Sequence, residues 1–205
     1  GEYGEGDQFI GVVVPNLRIV AKKHFDADFD TLRELLASPY HEYRLTALLA
    51  LTYRYAKFKD LASREACVNF YVSQVDAINN WDLVDLSCYK ILGHWLFDKD
   101  KQLLYDWAKE NHLWKQRIAM ISCMHFVKQG EFKDALAIAD LLQHHPHDLI
   151  HKAVGWILRE IGKENEQLLV DYLTPRYKEM PRTMLRYAIE RFEEGKRKAF
   201  LNSTI

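Results

Sequence analysis

The sequence is short of several features that would define a class of protein at once. No apolar run reaches the 18 residues of a membrane-spanning helix, and no basic segment followed by an apolar one opens the chain. The three cysteines, Cys67, Cys88 and Cys123, lie far apart and form no Cys-x-x-Cys motif. This pattern argues against a disulfide framework or a zinc–thiolate site and favours buried thiols in a reducing compartment. We therefore expect a cytoplasmic protein.

The chain also has no excess of positive charge, because its 28 Lys and Arg residues are balanced by 29 Asp and Glu residues. A nucleic-acid site would have to come from local clustering. No Gly-x-Ser-x-Gly or His-Glu-x-x-His motif is present. His144, His145, His147 and His151 could suggest a metal, but no Cys or paired Glu joins them. We interpret them as a helix-connecting loop with a capping role, and expect no metal or cofactor.

Alternating strand patterns are absent, and helical periodicity runs through nearly the whole chain. The predicted helices span residues 15–24, 28–37, 40–58, 63–75, 81 to about 98, 100–109, 112–129, 132–143, 147–161, 165–177 and 181–192, followed by a short basic tail. Ser63 is the expected cap of the fourth helix, and Asn79 and Asn80 are the expected caps of the fifth. The prediction is an all-α protein.

The helices come in similar pairs, each with a basic residue early in its second helix. Arg44 and Arg117 are 73 positions apart, Arg117 and Lys152 are 35 apart, and Lys152 and Arg186 are 34 apart. A two-helix period of this length predicts an α-α superhelix, or solenoid, of about six HEAT-like helical pairs. We expect residues 1–205 to form a single domain, with residues 1–8 as a Gly-rich N-terminal loop.

In such a solenoid the second helices line one concave face, which would be basic here. The basic residues on or near these helices are Arg44, Arg117, Lys152, Arg159, Arg182 and Arg186. They could bind a polyanion despite the neutral chain. Alternatively, each could pair with an acid of a neighbouring repeat. The sequence leaves both interpretations open.

Trp81 and Asp85 form the most distinctive combination, because a spacing of four places them on one helix face. Asp82 is interpreted as a first-turn acid favoured by the helix dipole. Asp85 lies one turn in, between Val84 and Leu86, where a carboxylate needs a partner or water. Lys152 and Trp156 repeat the spacing of four further along, whereas Trp95, Trp107 and Trp114 are assigned to packing.

Six stretches of the chain resemble the AlkD-type alkylpurine DNA glycosylases, a family built from HEAT-like repeats. They are residues 11–18, 38–44, 79–85, 113–119, 148–160 and 180–190, in the order of that family. Family members begin with a helical pair ahead of the Gly-Val-x-x-Pro segment. We therefore expect native N-terminal helices to be missing from the printed chain, and DNA affinity and activity to depend on them.

The resemblance implies that Asp85 is the catalytic carboxylate, that Trp81 and Trp156 flank the deoxyribose of the lesion, and that Arg117 holds the adjacent phosphate backbone. Lys152, Arg159, Arg44, Arg182 and Arg186 would contact DNA. The implied reaction is hydrolysis of the N-glycosidic bond of cationic N3- or N7-alkylated purines in duplex DNA, by a monomer without metal or cofactor. The alternative is a catalytically inactive HEAT-repeat module of this family that binds DNA or a protein partner.

Overall fold

The computed structural model describes residues 6–204, and within this range the protein is all-helical apart from one isolated bridge between Gln8 and Tyr40. This confirms the predicted fold class. Residues 1–5 of the predicted Gly-rich loop lie outside the described residues. The chain divides into two compact units, with the boundary between Asp98 and Lys99. The expectation that residues 1–205 form one domain stays a prediction.

The first unit is organised around α3, the longest helix it contains. Its α-helices are α1 Val14–Lys23, α2 Phe29–Leu36, α3 His41–Lys57, α4 Leu61–Ser73, α5 Trp81–Asp85 and α6 His94–Leu96, with a 3-10 turn at Val75–Ala77 and a π-helical turn at Tyr89–Gly93. Helix α3 packs against α1, α2, α4 and α5. Leu45, Leu48, Leu49 and Leu51 are buried along it, as expected for a helix surrounded by others.

The second unit shows the paired arrangement clearly. Its helices are α7 Gln102–Lys109, α8 Leu113–Lys128, α9 Lys133–Leu142, α10 Asp148–Glu164, α11 Glu166–Leu173, α12 Arg182–Ala188 and α13 Glu194–Asn202. Helix α10 packs against both α8 and α12. Helix α7 packs on α8, α9 packs on α8 and α10, and α11 packs on α10. The second helices α8, α10 and α12 thus follow one another in a layer, as the repeat spacing predicted.

Several predicted boundaries were wrong. The helix predicted from 81 to about 98 breaks into α5, a turn, the π-helical turn and α6. The predicted basic tail instead forms α13. Asp60, not Ser63, caps α4, because its carboxylate accepts the N–H of Ser63 at 2.8 Å. Asp60, the residue just before the first helical residue, therefore supplies the N-cap acceptor.

No helix among residues 6–204 is both long enough and apolar enough to span a membrane. Cys67, Cys88 and Cys123 are all buried thiols, in agreement with the prediction.

Candidate active site

Helix α5 carries an exposed indole one turn before a buried carboxylate. Trp81 is 43 % exposed, whereas Asp85 is only 8 % exposed. The two residues are the first and last of a five-residue helix, so they share one face of it. The predicted pair therefore exists, with an aromatic side chain at the surface beside an acid that is almost withdrawn from solvent.

The apolar face of α5 anchors this short helix in the first unit. Leu83 and Val84 are fully buried. Just beyond the helix, the hydroxyl of Ser87 donates to the carbonyl oxygen of Leu83 at 2.5 Å and lies 3.1 Å from the hydroxyl of Tyr71. Burial raises the pKa of Tyr71 well above its ordinary value, so this phenol is neutral and remains a hydrogen-bonding group. The side chain of Ser87 thus takes the Leu83 carbonyl, while its backbone N–H bonds to Val84 at 3.1 Å, where the α-helical run ends.

The residues before α5 do not cap it as predicted. Asn80 occupies the N-cap position without a side-chain capping bond, and its amide instead donates to Asp7 at 2.6 Å. The carbonyl oxygen of the Asn79 side chain accepts a bond from the Arg44 guanidinium. Both asparagines are therefore used to fasten the N-terminal segment and α3 to the start of α5.

Arg44 was predicted to contact DNA, and its surroundings argue against that role. It is only 6 % exposed, and its Nη2 lies 2.5 Å from the carboxylate of Asp7. An arginine whose charge is matched inside the protein cannot present it to a phosphate without leaving a buried carboxylate uncompensated. Arg44 thus pairs with an acid of the same unit, and its predicted contact with DNA stays a prediction.

Two further side chains of α3, which the sequence analysis missed, hold the N-terminal segment. His41 lies between the carboxylates of Asp7 and Asp82. The Glu42 carboxylate accepts the backbone N–H groups of Ile10 and Gly11, the latter at 2.8 Å. Burial tends to raise the pKa of Glu42, but these bonds outweigh it and the pKa is lowered. Gly11 has a φ of +83°, which lets consecutive N–H groups face one anion.

Arg117 lies near the start of α8 and is 4 % exposed. Its Nη1 donates to the carbonyl oxygen of Leu149, in the first turn of α10, at 2.5 Å. The guanidinium therefore joins two successive second helices of the second unit. Its predicted contact with the DNA backbone stays a prediction.

Helix α10 carries Trp156 and Lys152 on one face, four residues apart. Trp156 is half-buried, and Lys152 pairs with Asp148 at 2.9 Å. Beside Trp156, Gly155 brings α10 very close to α12: an added Cβ would lie 2.5 Å from the Cβ of Tyr187. The Trp156 position is thus set by helix packing. Trp81 and Asp85 belong to the first unit and Arg117 and Trp156 to the second, so the meeting of all four stays a prediction.

The remaining predicted cations divide into paired and unpaired ones. Arg159 bonds to Glu190 and lies 3.7 Å from Glu160. Arg182 and Arg186 are exposed on α12, and across residues 6–204 neither has an ion pair. Arg159 therefore follows the pairing interpretation, while polyanion binding by Arg182 and Arg186 stays a prediction.

A family comparison provides the decisive finding about identity. The sequence model of a family described as DNA alkylation repair enzyme matches residues 2–192. The chain belongs to this DNA alkylation repair family. A solved structure described as a predicted DNA alkylation repair enzyme from Enterococcus faecalis is similar over 94 % of this chain and 92 % of that one, with a TM-score of 0.72 and 16 % identity. At that identity the likeness concerns the fold. A search of curated proteins returned no match.

The histidine-rich loop has the capping role predicted for it in this member of the repair family. The Nδ1 of His147 accepts the N–H of Leu149 at the start of α10, at 3.1 Å, and the Nδ1 of His145 accepts the N–H of His147 at 3.0 Å. Burial lowers the pKa of His145, which keeps this nitrogen available as an acceptor. Within the described part of the chain, no group of three or more His, Cys, Asp or Glu is placed to hold a metal ion.

The chemistry available at α5 is electrostatic. An ionised carboxylate with little solvent around it acts strongly on positive charge that develops nearby, because few water dipoles screen the field. An exposed indole face attracts a cation in addition. A carboxylate and an indole face of this kind can stabilise positive charge that develops on a bound molecule.

Proposed function

We propose that this member of the DNA alkylation repair family is a monofunctional DNA glycosylase. Its substrates are cationic N3- or N7-alkylated purines in duplex DNA, and it acts as a monomer in the cytoplasm without metal or cofactor. Asp85 stabilises the positive charge that spreads onto the deoxyribose and orients the attacking water. Trp81 and Trp156 flank the sugar, and Arg117 holds the adjacent phosphate.

The observation that carries this proposal is the combination on α5 of a 43 % exposed Trp81 with an Asp85 that is 8 % exposed. An alkylated purine already carries a positive charge and leaves readily, so the enzyme has no need to protonate it. The group in need of stabilisation is the sugar, whose transition state resembles an oxocarbenium ion. A carboxylate and an aromatic face serve that state, but neither protonates the leaving base, so an undamaged, neutral nucleotide still has a poor leaving group.

DNA contact is assigned mainly to the second unit. Arg182 and Arg186 are exposed on α12 and keep their charge available for phosphate. Lys152 and Arg159, on α10, form ion pairs with nearby carboxylates and would have to break these pairs to bind phosphate. We therefore propose Arg182 and Arg186 as the principal backbone contacts, and Lys152 and Arg159 as secondary ones.

The test is release of 7-methylguanine from methylated duplex DNA by the wild type and by Asp85→Asn. The substitution keeps the size of the side chain and removes its charge. Loss of one preorganised electrostatic group lowers the rate by about 10²–10³-fold. Asp30→Asn is the matched control, since Asp30 is an exposed acid of α2 in the same unit and pairs with neighbouring Arg33. We expect the control to retain wild-type activity.

The burial of Asp85 and Arg117 favours a second candidate, a catalytically inactive module of the family that binds DNA or a protein. An inactive wild type that binds duplex DNA with a steep salt dependence would establish the DNA-binding version. Binding to a protein partner that salt leaves unchanged would establish the other. Release of 7-methylguanine by the wild type, abolished in Asp85→Asn, rules out both.

A further inference from the structure

His41 lies at the first position of α3, enclosed between two carboxylates. Its Nδ1 is 3.0 Å from Asp7 and its Nε2 is 2.8 Å from Asp82, and only 6 % of its side chain is exposed. An ionised carboxylate can only accept hydrogen bonds, so both ring nitrogens must donate. The geometry therefore requires a doubly protonated, positively charged imidazole.

The ion pairs of His41 continue to a second cation of the first unit. Arg44, one turn further along α3, pairs with the other oxygen of Asp7 at 2.5 Å, so two carboxylates face two cations. The Phe9 ring covers the imidazole, with 5.1 Å between the ring centres. The hydrogen bond to Asp82 raises the pKa of His41 despite the opposing effect of burial. Burial tends to raise the pKa of Asp7, but its bonds to Asn80 and Arg44 outweigh this and lower it.

Helix α5 depends on contacts from outside for its position. Five residues are far too few for a helix that is stable by itself. Its N-cap residue, Asn80, makes no capping bond. Among its side chains, Asp82 is tied to His41, and it stands between Trp81 and Asp85 in the sequence. A shift of Asp82 therefore moves the whole proposed catalytic turn.

We propose that His41 is a positioning residue for base excision: as an imidazolium bridging Asp7 and Asp82, it fixes α5, and with it Trp81 and Asp85, in the geometry that the reaction needs. This inference rests on the glycosylase function proposed above. His41 touches neither substrate nor reacting atoms in this role. Misplacement of a reacting group by about 1 Å costs roughly 10²-fold in rate, so loss of the bridge affects the chemical step.

The experiment compares wild type with His41→Gln, which has a similar length but no charge and only one donor group. Single-turnover release of 7-methylguanine at neutral pH is expected to fall roughly 10- to 100-fold, with little change in the dissociation constant for DNA. Tyr55→Phe is the matched control, because it removes a partly buried hydrogen bond of α3, to His94 of α6 at 2.8 Å, and keeps the bridge to α5. The control is expected to keep the wild-type rate.

The pH profile provides a readout that a merely structural role would not move. Because the pKa of His41 is raised, the bridge is intact at low pH and is lost as pH rises through that raised pKa. The wild-type rate should decline through the pKa that an NMR titration measures for the His41 ring, and His41→Gln should lack that decline. A folded His41→Gln variant with the wild-type rate and pH profile would overturn the inference, as would a ring pKa at or below its ordinary value.

Failure of this inference is distinguishable from failure of the proposed function. A wild type that releases no 7-methylguanine contradicts the glycosylase proposal itself. An active wild type matched by His41→Gln contradicts only the positioning role. Amide hydrogen exchange of residues 81–85, which needs no activity, must be faster in His41→Gln than in Tyr55→Phe if the bridge holds α5.

Discussion

The helices that carry the two proposed aromatic walls differ in how much they depend on polar contacts. Helix α5, with Trp81, has five residues and no side-chain cap, whereas α10, with Trp156, has seventeen residues and is capped by His147. Besides its buried Leu83 and Val84, helix α5 is fastened by charged and polar side chains of the N-terminal segment and α3. Helix α10 is fixed by apolar packing against α8 and α12.

Because of this difference, we expect the two helices to be sensitive to different changes. Buried ion pairs depend on the protonation state of their members, and breaking one leaves an uncompensated charge. Apolar packing depends instead on shape and is nearly indifferent to pH. We therefore expect the turn that carries Asp85 to respond to pH and the helix that carries Trp156 to respond to changes of volume.

The largest expected effect disrupts the packed helix. In Gly155→Ala the new Cβ would lie 2.5 Å from the Cβ of Tyr187 and 2.6 Å from the carbonyl oxygen of Met184, and neither can move without shifting α12. Overpacking of this kind lowers the free energy of unfolding by about 1–3 kcal/mol, measured by urea denaturation.

Gly162→Ala on the same helix is the matched comparison. Its Cβ would meet a terminal methyl group of Leu169, which can rotate away. The gain in helix propensity of about 1 kcal/mol then offsets the remaining contact. Equal destabilisation by both substitutions would show that α10 is not fixed by its approach to α12.

The next largest effect is a difference in how the stability of the two helices responds to pH. The raised pKa of His41 means that its stabilising bridge is present below its ordinary pKa and lost as pH rises through the raised value. Losing one hydrogen bond to a charged group corresponds to about 1.5 kcal/mol. In hydrogen exchange corrected for intrinsic rates, protection of α5 should fall with rising pH while protection of α10 stays constant. A parallel loss of protection in both helices would contradict the proposed difference between them.

The smallest effect concerns the surface of α12. Arg186→Ala should leave stability within about 0.5 kcal/mol of wild type, because the side chain is exposed. It should also lower the slope of log affinity for duplex DNA against log salt by about 0.9. Arg197→Ala, an exposed arginine of α13, is the control and should not change the slope. An unchanged slope for Arg186→Ala would exclude this arginine from the DNA contact.

The paired helices could be predicted from the sequence because local patterns encode them. Apolar residues at helical spacing and basic residues at a period in the mid-thirties placed Arg117, Lys152 and Arg186 on α8, α10 and α12. The pairing of Trp81 with Asp85 follows from a spacing of four on one helix. These inferences need only the periodicity of the α-helix and of the repeat.

The fastening of α5 could not be predicted, because it depends on contacts between distant residues. Asn79 and Asn80 fit a capping pattern, yet their side chains bind Arg44 and Asp7, which lie 35 and 73 positions away in the sequence. The end of α5 after Asp85 could not be predicted either. The apolar pattern continues through it, and the side-chain bond from Ser87 to Leu83 lies at the point where the helix ends.

The most direct test of the account uses two duplexes of one sequence, the first with 7-methylguanine and the second with a neutral lesion such as hypoxanthine at the same position. The measurement is single-turnover base release by the wild type. Asp85 and Trp81 stabilise the charged sugar but do not protonate the leaving base, so the account predicts that 7-methylguanine is released far faster than hypoxanthine. Release of both bases at similar rates would contradict it.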